Sequence, residues 1–283
     1  MNDFFFIKME ASDDVWRQVL STEPTPVVED NTINNYGQME FAELWKVATA
    51  GVYKRWFKDP AVVKGFKSTL RFIHEAGRHS VYDFCPRPEH IFEPLKWLRP
   101  YEDGSNSALP VVKVVILGQD PYPRLEDAYG IAFHSLNWKC PYSARNINGN
   151  LIYYEHIDER FWNCSDYRPW LAQGVLLINP IFTCVANNEK GPGSHGTEWQ
   201  GKVDPLFRMI TPNSVGLFFG GVARQQLKML PCKYKILHCH PVSRTGQFNE
   251  KDVFGEANKA LAEMKLTPIN WTPGSKYRVA PRQ

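Results

Sequence analysis

Four short apolar runs constrain this chain most: VVKVVIL at 111–117, GVLLINP at 174–180, VGLFFGG at 215–221 and YKILHCHP at 234–241. Continuous runs of that length, rich in β-branched residues, read as strands buried on both faces. Between and around them lie stretches with helical spacing. These are FAELWKVATAGVYKRWF from 41, AVVKGFKSTLRFIHEAG from 61, HIFEPLKWL at 90–98, VARQQLKML after the third run, and DVFGEANKALAEMK at 252–265. The alternation predicts an α/β fold whose central, mostly parallel four-stranded sheet is flanked by helices.

At 283 residues the chain can bury one substantial core. Residues 1–40, with Asp, Glu, Asn, Thr and Pro crowded around 22–35, read as an acidic N-terminal extension, partly ordered at best. Residues 41–265 read as a single α/β domain, and 266–283 as a basic, Pro-containing tail expected to pack loosely. The extension carries two basic side chains against eight acidic ones, whereas the rest carries 31 against 22. A basic body behind an acidic leader suits a polyanionic partner. No run of 18 apolar residues would cross a membrane. The start MNDFFFIKMEASDD lacks a basic leader and a long apolar region, so an intracellular protein, nuclear or cytoplasmic, is expected. The six cysteines have no CxxC pair. They read as reduced structural thiols rather than disulfides or iron–sulfur ligands.

Ligands of a parallel sheet bind beyond the carboxyl ends of its strands. Gln119, Asp120 and Tyr122 follow the first run, Asn179 closes the second, Gly220 and Gly221 close the third, and His240 closes the fourth. His238 and His240 flank Cys239 without a second ligand pair nearby, so no metal site is read. There is no GxSxG elbow, no GxGxxG after a strand and no Walker loop. What remains is a carboxylate, an amide, an imidazole and an aromatic ring on a basic body, a set suited to a planar heterocycle. Each member alone has an ordinary structural reading: Asp120 as a turn cap, Asn179-Pro180 as a turn, Phe133 as core.

These blocks resemble the uracil-DNA glycosylases. GQDPY after an apolar strand, followed by YGIAFHS, is similar to that family's GQDPYH and GLAFS signature. LLINPIFTCVANNEKGPGSH resembles its LLLN, LTV and SH block. HPVSRTGQF stands where the family has HPSPLS, and KCPYSARNI resembles its proline-rich PPPPS and NI loop. The order is kept over roughly 110–265. The resemblance implies that Asp120 orients the attacking water and stabilises an oxocarbenium-like sugar. Neutral His240 would hydrogen-bond uracil O2. Asn179 would read the base edge, Phe133 would stack on the base, Tyr122 would exclude a C5 methyl, and groups around Gln119 would complete the pocket. Ser143, Arg244 and Thr245 would contact DNA, and Ser194 and His195 would either contact DNA or hold their loop. The implied substrate is uracil-containing DNA, single- or double-stranded, acted on by a monomer with no metal and no cofactor.

The chain departs from the family at four points. Pro123 replaces the usual His, Arg244 the apolar wedge, and Val242 and Gly221 two phosphate-contacting serines. Fewer hydroxyl clamps imply either less forceful base flipping or a preference for single strands, where flipping costs less. Two rival readings stay open from these residues. One is a glycosylase fold kept as a DNA-binding or replication-associated subunit, with residues 1–40 meeting a protein partner. The other is a glycosylase for another base, such as mismatched thymine.

Overall fold

The computed structural model describes residues 36–243 and 247–274. The acidic extension over 1–35, the tail from 275, and Arg244 and Thr245 lie outside the described residues.

The four apolar runs form one sheet. Strands β2 (Val114–Leu117), β3 (Val175–Ile178), β5 (Val215–Phe219) and β6 (Tyr234–His238) pair in the order β3-β2-β5-β6. Every pairing is parallel, with Val114 opposite Val175 and Val215, and Val215 opposite Tyr234. Each residue of β2, β3 and β5 is buried, as continuous apolar runs require. At the edge, β6 alternates instead: Lys235 and Leu237 are exposed while Ile236 and His238 are buried. A separate two-stranded antiparallel ladder joins β1 (Phe84–Cys85) to β4 (Cys184–Val185).

The chain leaves β2 for β3 on one side and then crosses to β5 on the other. That reversal places a crevice at the carboxyl end of β2, where the residues after all four strands can meet.

The expected strand at 111–117 starts at Val114. Before it, Val112 donates to Arg99 O and Val111 bridges Arg99, so the chain pairs first with a different segment. The helical stretch from 41 yields α1 (Phe41–Thr49) and then stops, since Gly51 adopts φ +77° and starts a turn. HIFEPLKWL is not an α-helix but 3-10 turns at Pro88–His90 and Glu93–Lys96, with Pro94 lacking the donor a continuous helix would use. Helices α2 (Pro60–Gly77), α3 (Tyr142–Tyr153), α4 (Gly220–Gln225) and α5 (Val253–Glu263) follow, and α4 and α5 pack on β5 and β6. Asp59 caps α2 by accepting from Ala61 N, and Asp252 caps α5 by accepting from Gly255 N.

Phe66 of α2, Phe92, Phe182 and Trp199 form an aromatic cluster with ring centroids 5.0–6.4 Å apart. Phe182 lies three residues beyond Asn179, so this cluster anchors the loop that carries the amide. The C-terminal segment also differs from its expectation. Over 266–274 it is packed: Ile269 and Trp271 are buried, Asn258 exchanges hydrogen bonds with Ile269, and Trp170 Nε1 donates to Trp271 O at 2.9 Å. Two large apolar side chains outweigh the polar composition around them. Likewise Tyr36, inside the expected extension, is fully buried and donates to Pro86 O.

Candidate active site

Beyond the carboxyl edge of the sheet lies a cavity of about 450 Å³. Gln119, Asp120, Tyr122, Phe133, Asn179 and His240, drawn from separate segments, all line it.

Asn179 sits against the end of β2. A β-carbon on Gly118 would fall 2.2 Å from Asn179 Oδ1, so only glycine lets the amide lie there. Asn179 is 4% exposed, and its side chain forms no hydrogen bond among the described residues. A buried amide left open toward a cavity is a binding group in waiting.

Phe133 occupies the left-handed region at φ +62°, a strained state for a bulky residue. The strain turns its ring into the cavity wall, 6.1 Å from His240 and 6.1 Å from Phe219 between centroids. Tyr122 holds that turn by donating its hydroxyl proton to Phe133 O at 3.1 Å. With that proton used, the Ser143 hydroxyl donates to Tyr122 Oη at 2.7 Å. Burial pushes the Tyr122 phenol well above its ordinary range.

Asp120 Oδ2 accepts the backbone N–H of Gly193. Burial pushes this carboxyl above its ordinary value, and the Gly193 N–H pulls it back only in part. The segment bringing Gly193 is itself tied down. Asn187 Oδ1 accepts from Glu189 N and Lys190 N, Gly191 N donates to Asn187 O, and Ser194 Oγ accepts from Val185 N at 2.8 Å.

His240 Nδ1 accepts the Val242 N–H at 3.2 Å. The proton of the neutral ring therefore resides on Nε2. Burial lowers the His240 pKa, so the neutral form prevails at pH 7. Gly220, at φ +88°, lets this side chain pack closely, since a β-carbon there would lie 3.0 Å from His240 Cβ.

Three residues considered for DNA contact have partners inside the protein. Ser143 is buried against Tyr122, and Ser194 closes its loop onto β4. His195 is buried too. Trp199 Nε1 donates to Thr183 Oγ1 at 2.8 Å, and Thr183 Oγ1 is hydrogen-bonded to His195 Nδ1 at 2.9 Å. Burial lowers the His195 pKa to about 4, leaving it neutral. Arg244 and Thr245 lie outside the described residues.

No protein-family model matches the chain. Among curated proteins, uracil-DNA glycosylase 2 of Streptomyces avermitilis is 32% identical over 219 residues, spanning 73% of this chain and 88% of its own. The chain belongs to the uracil-DNA glycosylase family. The uracil-DNA glycosylase fold is also that of its solved neighbours. The mimivirus enzyme superposes with a TM-score of 0.63 at 24% identity, over 86% of this chain and 99% of its own. The wild-type UNG from Nitratifractor salsuginis gives 0.52 at 21% identity, over 80% and 96%.

The departures from the family signature have local accounts. Pro123 packs on the 187–196 loop, where a β-carbon on Gly191 would fall 2.6 Å from Pro123 Cβ. Val242, 45% exposed, lines the cavity and supplies the N–H that sets the His240 tautomer. Gly221 has open space where a side chain would be, so a serine would fit there without a clash.

Sequence reasoning missed Arg124 and Asp127, which line the cavity and pair at 2.6 Å, with Ser135 donating to Asp127 Oδ1. Their i, i+3 spacing in PRLED was the available signal. It also missed Gly193, whose role depends on a contact 73 residues away in sequence. Among the described residues no three His, Cys, Asp or Glu side chains are grouped to hold a metal ion.

Proposed function

We propose that this cavity takes a uracil base flipped out of DNA, and that Asp120 and His240 break its N-glycosidic bond. The activity class, a DNA-repair hydrolase of the uracil-DNA glycosylase type, accords with the family. The observation carrying the assignment of residues is the convergence of Asp120, Tyr122, Phe133, Asn179 and His240 on one cavity.

The base enters edge first and stacks on Phe133. The Asn179 amide offers one donor and one acceptor, the complement of the uracil N3–H and O4 edge. Tyr122 closes the side where thymine carries its methyl group. As the bond between C1′ and N1 lengthens, its electron pair moves onto the base and charge gathers at O2. His240 Nε2–H meets that charge, a preorganised donor worth about 3 kcal/mol in the transition state. A neutral imidazole does this without first losing a proton. The sugar becomes cationic, and the Asp120 carboxylate stabilises it and aligns water for attack at C1′. The products are free uracil and an abasic site.

The test is base release from matched oligonucleotides carrying one uracil or one thymine, single- and double-stranded, with EDTA present, beside Asp120→Asn. Release of uracil alone, abolished by Asp120→Asn, is the expected result. DNA binding without release would sink this reading and favour a binding subunit.

A further inference from the structure

Two aromatic side chains on the segment that leads into α3 are left in solvent. Tyr142, which opens α3 and lines the cavity, is 68% exposed. Trp138, four residues earlier on the same loop, is 60% exposed. Each has a cation over it: Lys139 Nζ lies 5.0 Å from the Trp138 ring and Arg145 Cζ 4.9 Å from the Tyr142 ring. Arg145 Nε has no hydrogen-bond partner among the described residues. The N-terminal half of α3 is fixed to the catalytic loop, since Asn146 Nδ2 donates to Pro241 O at 2.7 Å. The ring of Tyr142 is thereby held beside the loop that carries His240.

We infer that Trp138 and Tyr142, with Lys139 and Arg145, form a stacking strip for unpaired bases next to the target nucleotide, and that it makes single-stranded DNA the preferred ligand. The inference rests on the uracil reading of the cavity, because it is the strand entering there that would cross Tyr142. Any base has a face to offer a ring, so the strip is indifferent to sequence. The cations neutralise the phosphates between the bases. Four residues of chain span no more than about 14 Å, so both rings serve one short stretch of strand. In a duplex the neighbouring bases are stacked and paired, and their faces are closed to the rings.

The test measures affinity rather than turnover. The probe is a short oligonucleotide carrying a tetrahydrofuran abasic-site analogue, offered single-stranded and in duplex. Trp138→Ala and Tyr142→Ala should each weaken single-strand binding about tenfold and change duplex binding much less. Trp138→Phe and Tyr142→Phe keep a ring and should restore most of the affinity, which separates stacking from folding damage. Tyr153→Ala, at the far end of α3 about 16 Å away, should bind like wild type. Indole fluorescence should be quenched by the single strand in wild type and less so in Trp138→Phe. Single-strand affinity within twofold of wild type in both alanine variants would overturn the inference, as would equal losses on single and double strands. If wild type releases no uracil, the cavity reading fails on that result alone, and the affinity contrast still decides the strip.

Discussion

The Tyr122 hydroxyl donates to the backbone carbonyl of Phe133 at 3.1 Å. The side chain proposed to exclude a methyl group thus also holds the strained turn that presents Phe133, the ring proposed to stack on the base, which sits at φ +62°. On the proposed roles, specificity and base stacking are mechanically linked through one phenol. Two substitutions separate the roles. Tyr122→Phe keeps the ring but strands Phe133 O and Ser143 Oγ, costing about 1 kcal/mol of stability and raising KM for uracil DNA. Tyr122→Ala opens the C5 side and should release thymine as well as uracil. Thermal unfolding with paired uracil and thymine release assays checks both. A Tyr122→Ala enzyme active on uracil yet inert on thymine would remove Tyr122 from specificity.

Gly118→Ala tests the seat of the amide. The added carbon would lie 2.2 Å from Asn179 Oδ1, so Asn179 must move. A displacement of about 1 Å at a reacting centre costs about a hundredfold in rate. The expected result is a fall of that size in kcat/KM with the fold retained by circular dichroism. Full activity would mean that the position of Asn179 does not matter.

Asn179→Asp replaces a donor–acceptor pair with acceptors alone. The cytosine edge carries an amino donor where uracil carries an oxygen. Release of cytosine relative to uracil should rise by about tenfold or more, measured on oligonucleotides differing only at the target base. Unchanged discrimination would argue against edge reading by this residue.

Asp120 and His240 set the pH dependence together. Catalysis as proposed needs Asp120 ionised and His240 neutral. The Asp120 pKa is raised from 3.8 by burial, and the His240 pKa is lowered from 6.5 by burial. Activity should therefore rise from acid pH and hold level through pH 8, checked by kcat/KM profiles in constant-ionic-strength buffers. The sign for stability follows from linkage. Because folding raises the Asp120 pKa, the contribution of this group to stability is full below its ordinary value and is lost as pH rises through the folded value. Asp120→Asn should thus raise the Tm at pH 7 while cutting kcat about 1,000-fold. A lowered Tm would mean that the Gly193 contact outweighs burial.

Much of this molecule is legible in its residues. Short β-branched apolar runs read as strands, three of them covered on both faces and the fourth at the sheet edge, and their alternation with helical spacing points to a parallel sheet. Where the strands end then follows, and so do Asp120, Asn179 and His240 as groups gathered at one edge. Local chemistry decided these features, because burial and backbone pairing act on near neighbours in sequence. The proline in HIFEPLKWL carried its own warning against a helix there, and Trp271 its own reason for packing against the domain.

Other features exist only once the chain is folded. The strained backbone of Phe133 depends on a phenol eleven residues away, and the depth of Asn179 depends on the missing side chain of Gly118. Gly193 reaches Asp120 from 73 residues along the chain. Whether Ser143, Ser194 and His195 face outward or bind inward could not be read from their types, since a hydroxyl or an imidazole serves either purpose. The tautomer of His240 turns on a single backbone N–H, that of Val242. Long-range contacts fix these features because each donor, acceptor and ring takes its role from what faces it, and only the tertiary structure decides what that is.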